Sequence, residues 1–75
     1  MYHTVEFAVE FLADLDIAPR QRLERVLLAK GARRQAQVRP YVVEGEAGPV
    51  EVADLFFEDG TAARTVPCEW FSFVG

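Results

Sequence analysis

Nucleophilic catalysis in this sequence would have to be assembled around Ser72, Cys68 and His3, because the chain holds one residue of each type. A serine or cysteine hydrolase brings a nucleophile, a base and an orienting group together. Ser72 sits inside the run Trp70-Phe71-Ser72-Phe73-Val74 and reads as a strand residue. Cys68 follows Pro67 in apolar company and reads as a small buried hydrophobe. His3 lies near the start of the chain, where fraying is usual. No Cys/His spacing supplies the three or four ligands of a metal site. The glycines (31, 45, 48, 60 and 75) match neither a phosphate loop nor a dinucleotide fingerprint. Carboxylates are plentiful and leave acid–base work as the one open enzymatic route. The expectation is a protein without catalytic activity, metal or cofactor.

The basic residues offer a second chemistry. Residues 20–39 hold seven of the eight Lys and Arg against Glu24 alone, whereas residues 1–19 hold four acids and no base. Residues 40–75 hold Arg64 against seven acids, and the whole chain carries a net charge of −4. On a helical wheel Arg22, Arg25 and Arg33 fall within roughly 80° of one another, provided the helix continues through Gly31. Together with Arg39 they are candidate contacts for a phosphate or for an acidic partner. Against phosphate stands the overall acidity, which repels nucleic acid at long range. The arginines then answer acids on the sheet or on a second chain.

Aromatic residues form the third group. Phe56, Phe57, Trp70, Phe71 and Phe73 sit among Glu51, Asp54, Glu58, Asp59 and Glu69, a poor setting for stacking nucleic-acid bases, so a core role is expected. Neighbouring Phe56 and Phe57 nevertheless point to opposite faces of a strand, as do Trp70 and Phe71. One small core does not easily cover both sides, which marks Phe56 and Trp70 as candidate self-association residues.

These side chains must be positioned by few elements. Val5, Phe7, Val9 and Phe11 alternate with polar or small residues and predict a half-buried strand. Leu12–Ala18 reads as a connection or a frayed first turn. Residues 19–30 predict a helix: Pro19 suits its first position, Leu23, Val26 and Leu27 line one face, Arg20 and Glu24 can pair, and Gly31 terminates it. Gln35–Val43 reads as extended, with Pro40 at an edge or bulge, and residues 44–49 as a loop. Val50–Phe57 and Thr61–Val66 flank Asp59-Gly60, a hairpin signal that places Phe57 opposite Ala62, Leu55 opposite Arg64 and Ala53 opposite Val66. Val50 and Val52 have the opposite parity to Ala53, Leu55 and Phe57, which calls for a bulge near Ala53 or for cover on both faces. Phe71–Val74 is the last strand.

The chain is 75 residues long, which corresponds to one domain spanning 1–75. Hydrophobic residues make up 51% and charged residues 27%, a globular rather than disordered balance. No apolar run approaches the roughly 20 residues of a transmembrane helix. Met1–Glu6 has neither the basic nor the apolar region of a secretory signal, and a single cysteine points to the cytoplasm. From residue 38 to 74, the order of strand, Asp-Gly hairpin, strand, Val-Pro with a short turn, and last strand resembles the small SH3-like and Tudor-like barrels. That resemblance rests on spacing, and the barrels' ligand-binding aromatics do not map onto it.

The sequence therefore predicts an α+β fold of order β-α-β-β-β-β, one helix with an antiparallel sheet of about five strands, its C-terminal half an SH3-like barrel. The expected function is that of a small cytoplasmic interaction or regulatory module acting as a homodimer or with a protein partner, away from membranes. The alternative is a nucleic-acid-binding regulator using the Arg-rich stretch 20–39.

Overall fold

The computed structural model describes residues 1–17 and 22–75, with the side chains of Ile17 and Arg22 left aside. Seven strands follow in chain order: β1 (His3–Phe7), β2 (Phe11–Ile17), β3 (Arg22–Leu28), β4 (Arg33–Gly45), β5 (Gly48–Phe57), β6 (Thr61–Pro67) and β7 (Phe71–Phe73). A short 3-10 turn, Cys68–Trp70, joins the last two. The strands form one antiparallel sheet in the order β3-β2-β6-β5-β4-β1-β7, curled into a half-barrel. Among the described residues no helix is long and apolar enough to cross a membrane.

The fold is all-β, which overturns the α+β expectation at residues 19–30. Arg22–Leu28 is a strand that pairs with β2 over its full length, from Ile17 opposite Arg22 to Phe11 opposite Leu28. Leu23 and Leu27 satisfy helical spacing, but positions four apart also share a face of a strand. Val26 and Leu28 then take the other face, and Leu28 is buried in the core. Helix propensity differs among such residues by only tenths of a kcal/mol, less than burying a leucine contributes. Pro19 and the Arg20 half of the Arg20–Glu24 pair lie outside the described residues. Gly31, expected to stop a helix, turns the chain from β3 into β4 with φ +84°. Likewise, the C-terminal half does not stand as a barrel of its own: its strands are the middle and one edge of the single curled sheet.

A second correction concerns the N-terminal alternation. The chain leaves β1 at Phe7 and bends through Ala8 and Val9, so Phe7 and Phe11 lie on different strands. Their rings meet edge-on with centroids 5.6 Å apart. Backbone bonds hold the bend, since Ala8 N donates to the Trp70 carbonyl at 2.7 Å and Gly31 N donates to the Phe7 carbonyl at 2.8 Å. The stretch read as a connection is β2, whose inward positions Phe11, Ala13 and Leu15 alternate as a half-buried strand requires.

The inward face gathers Val5, Phe7, Leu15, Leu28, Ala36, Leu55, Phe57 and Phe71 into one core cluster. Pro40 falls where β4 has run past β1, which pairs only with Arg33–Ala36, so β4 is locally an edge as the proline requires. The Asp-Gly hairpin is present with a three-residue connection in place of two. Gly60 N donates to the Phe57 carbonyl at 3.1 Å with Gly60 at φ +90°, a type I turn completed by a left-handed glycine. The pairing therefore starts one residue out of the expected register, Phe56 opposite Ala62 and Leu55 opposite Ala63. A bulge then restores Ala53 opposite Val66. The extra residue is on β6, where Arg64 and Thr65 together face Asp54. Val52 and Ala62 are buried on the opposite face from the core, so β5 has both a bulge beside it and cover on its two faces.

Candidate functional site

The bulge is the strained point of the molecule. Thr65 has φ +57°, and among the described residues it is the one non-glycine with positive φ. A β-branched side chain in that region costs on the order of 1–3 kcal/mol and persists only when its surroundings hold it there. Asp54 supplies the hold. Its Oδ1 accepts from the Thr65 backbone N–H at 3.0 Å and from the Tyr41 hydroxyl at 2.9 Å. The Thr65 and Tyr41 hydroxyl oxygens are 2.9 Å apart. Since Tyr41 has one proton and gives it to Asp54, the Thr65 hydroxyl donates to Tyr41. Arg64 Nη1 reaches Asp54 Oδ2 at 3.4 Å, and its Nε lies 3.5 Å from Asp16 on β2. Burial pushes the Asp54 carboxyl up, but the bonds from Thr65 and Tyr41 and the charges of Arg64 and Arg39 outweigh it and hold the group below the usual carboxylate value.

Bulged strands bend, and beside this bulge β2 and β6 part while remaining in one sheet. Among the described residues β2 and β6 pair from Leu15 opposite Ala63 to Ile17 opposite Thr61. Past Ala63 the strands separate around a cleft of about 390 Å³, lined by Leu12, Asp14, Leu23, Thr65, Val66 and Trp70 among others. On the outer face of the β2–β3 hairpin, Leu12 stands opposite Leu27, Asp14 opposite Arg25, and Asp16 opposite Leu23. The three leucines are 61%, 54% and 66% exposed for Leu12, Leu27 and Leu23. Arg25 Nε bonds Asp14 Oδ1 at 3.1 Å in their midst. Among the described residues β3 has a neighbour on one side only, β2.

No single element carries Arg25, Arg33 and Arg39. The ridge expected for Arg22, Arg25 and Arg33 depended on a helix that is absent. Arg22 and Arg25 belong to β3 and Arg33 and Arg39 to β4, with β2, β6 and β5 between them. The side chain of Arg22 lies outside the described residues. Arg25 answers Asp14, and Arg33 answers Glu6 with Nε to Oε1 at 2.9 Å. Arg39 stands across from Asp54 in the β4–β5 register. Arg34 bonds Asp59 at 2.8 Å while its guanidinium lies 4.1 Å over the Phe57 ring. Asp59 also accepts both the hydroxyl and the backbone N–H of Thr61, which, with Arg34, holds its carboxyl below the usual value.

Of the two aromatic candidates, Phe56 is half-buried on the outer face with Arg64 5.4 Å from its ring centroid. Trp70 is half-buried at the cleft, its ring 4.8 Å from that of Phe11. They are on different elements, and the exposed leucines outweigh both as contact surface. Sequence reasoning missed the leucines because it placed Leu23 and Leu27 on a buried helical stripe. The signal for Leu12 was its parity, opposite to Phe11, Ala13 and Leu15.

Cys68 lines a separate, mostly apolar groove with Val38, Pro40 and Phe71. Burial pushes its thiol pKa up, and the nearby charge of Glu51 adds to the rise. Because the thiolate is the reactive form, a maleimide should label native Cys68 at neutral pH several-fold more slowly than the urea-unfolded chain. Equal rates would show that the groove does not protect it. Among the described residues no group of three or more His, Cys, Asp or Glu converges as a set of metal ligands. Compared with protein-family models, curated proteins and solved structures, the chain matches none.

Proposed function

We propose that the protein is a small non-enzymatic interaction module of the cytoplasm, working as a homodimer or bound to a protein partner through the outer face of the β2–β3 hairpin. The observation that carries this reading is the trio of exposed leucines, Leu12, Leu23 and Leu27, on a hairpin whose outer edge is unpaired among the described residues. Scattered surface leucines need no explanation, but three on one face beside an open strand edge make a patch of the kind that marks a contact surface. The single cysteine supports the cytoplasmic assignment. The paired state of Arg25 and Arg33 favours a protein contact over phosphate, since each cation already has its counter-ion.

Sedimentation velocity at tens to hundreds of micromolar tests it. The wild type should contain a species heavier than 8.4 kDa. Leu23→Glu with Leu27→Glu should sediment as a folded monomer, because both side chains are more than half exposed and contribute little to the core. A wild type that stays monomeric throughout, or a double variant that associates as the wild type does, would overturn self-association by this face.

A further inference from the structure

We propose that the groove beside Cys68 takes an extended segment of a partner polypeptide, paired antiparallel with the open edge of β4 and carrying basic residues ahead of apolar ones. This surface is separate from the β2–β3 face, and neither reading depends on the other. The ladder between β1 and β4 ends at His3 opposite Ala36, whereas β4 continues to Gly45. Met1 and Tyr2 do not extend β1 along it: Met1 is 92% exposed, and among the described residues neither bonds the β4 backbone. The Gln35 carbonyl accepts from Glu58 N–H, so odd positions of β4 face β5 and even ones face the side that β1 has left. Val38, Val42 and Glu44 therefore offer N–H and C=O groups to an incoming strand, and Pro40 offers its C=O.

Side chains specify the occupant. Even positions of β4 share the inward face with Ala36, and there Val38 and Pro40 meet Cys68, Phe71 and Phe73 around a groove of about 450 Å³. Phe73 is 60% exposed, and an apolar side chain entering the groove covers it. Toward the hairpin tip the same face becomes acidic. Val42 stands opposite Glu51, which shares the parity of Ala53 and Leu55 and lines the adjoining groove with Cys68 and Glu69. Glu44 follows on β4. Lys and Arg are absent from the lining of these grooves, and among the described residues Glu44, Glu51 and Glu69 have no ion pair. A strand antiparallel to β4 meets Glu44 first, so charge complementarity makes its leading inward positions basic and its later ones apolar.

The open ladder selects a polypeptide, because a small apolar amine would fill the groove without using the edge. A second β4 is a poor occupant: it brings a second proline to the edge and repeats the same carboxylates. Pro40 leaves one ladder bond unmade, and the attraction to Glu44 and Glu51 acts at exposed groups. Binding is therefore modest in strength and weakens with salt.

The probe is a peptide blocked at both ends, Lys-Thr-Lys-Thr-Val-Thr-Val, titrated against the full chain by calorimetry and amide hydrogen exchange. It should bind, slowing exchange at Val38, Val42 and Glu44 several-fold while leaving Gln37 and Arg39, which face β5, unchanged. N-methylation of its valines, whose N–H groups face β4 in this register, should weaken binding about tenfold or more. N-methylation of its threonines should not. Glu44→Gln with Glu51→Gln, both at exposed positions, should weaken binding several-fold and remove most of its salt dependence. A peptide that fails to bind at millimolar concentration, protects no β4 amide, or binds equally well with its valines N-methylated overturns the strand pairing. A peptide with glutamate in place of lysine that binds as tightly overturns the basic occupant. None of these results bears on self-association, which the Leu23→Glu with Leu27→Glu variant reads at the other face.

Discussion

Replacing Phe7 with alanine should remove most of the protein's stability. Phe7 is 1% exposed, its ring meets Phe11, and its backbone carbonyl and N–H tie β1 to the turn before β4 through Gly31 and Ala32. A phenylalanine truncated in a packed core costs about 3–5 kcal/mol. A domain of this length has roughly 4–11 kcal/mol in total. With a urea slope of about 1 kcal/mol per molar for a small domain, the midpoint should fall by several molar with the slope unchanged. Phe56→Ala, truncated on the outer face, should move it far less. A Phe7→Ala midpoint within about 1 M of the wild type would mean that the inward face is not the core.

Asp54→Ala should cost about 2–3 kcal/mol at neutral pH, because hydrogen bonds to a charged acceptor are worth more than neutral ones and three donors lose theirs together. The Asp54 side chain is 13% exposed, so water replaces it poorly. The loss should carry a pH signature. The carboxyl is held below its unfolded value, so its contribution is present in full above about pH 4 and disappears as the pH falls through the lower folded value. Wild-type stability should drop steeply on acidification below about pH 4, while the Asp54→Ala curve should be flatter there and converge on it. Asp59 is lowered too and leaves the variant a residual slope. Parallel curves across this range, read by chemical denaturation at several pH values, would show that Asp54 does not hold the bulge as an ionised acceptor. The same variant frees Thr65 from its φ of +57°, so the cleft between β2 and β6 should change shape with it.

The unexpected strands have a common origin. Residues 11–17 alternate Phe11, Ala13 and Leu15 against Leu12, Asp14 and Asp16, so the strand pattern was in the sequence. It was obscured by the neighbouring helix-like spacing of 23–28, where period two and period 3.6 coincide at positions four apart. The short alternation Val5–Phe11 read as one strand because a bend at Ala8–Val9 has no turn residue to announce it; the backbone bond from Ala8 to Trp70 makes it, across most of the chain. Of the candidate arginines, the sequence could show their concentration but not their dispersal, since strand order separates β3 from β4 by three strands.

By itself the sequence determined the hairpin at Asp59-Gly60, the edge position of Pro40 and the β character of 50–57, 61–66 and 71–73. Each rests on a local cause: a glycine that accepts positive φ, a proline without an N–H, and β-branched or aromatic residues alternating over a few positions. Tertiary structure alone decided that 22–28 is a strand, that β6 bulges at Arg64–Thr65 against Asp54, and that Leu12, Leu23 and Leu27 remain uncovered. Those outcomes depend on which strands become neighbours. Pairing between residues distant in the chain is set by burial and hydrogen bonding summed over the whole sheet, and no local window contains that sum.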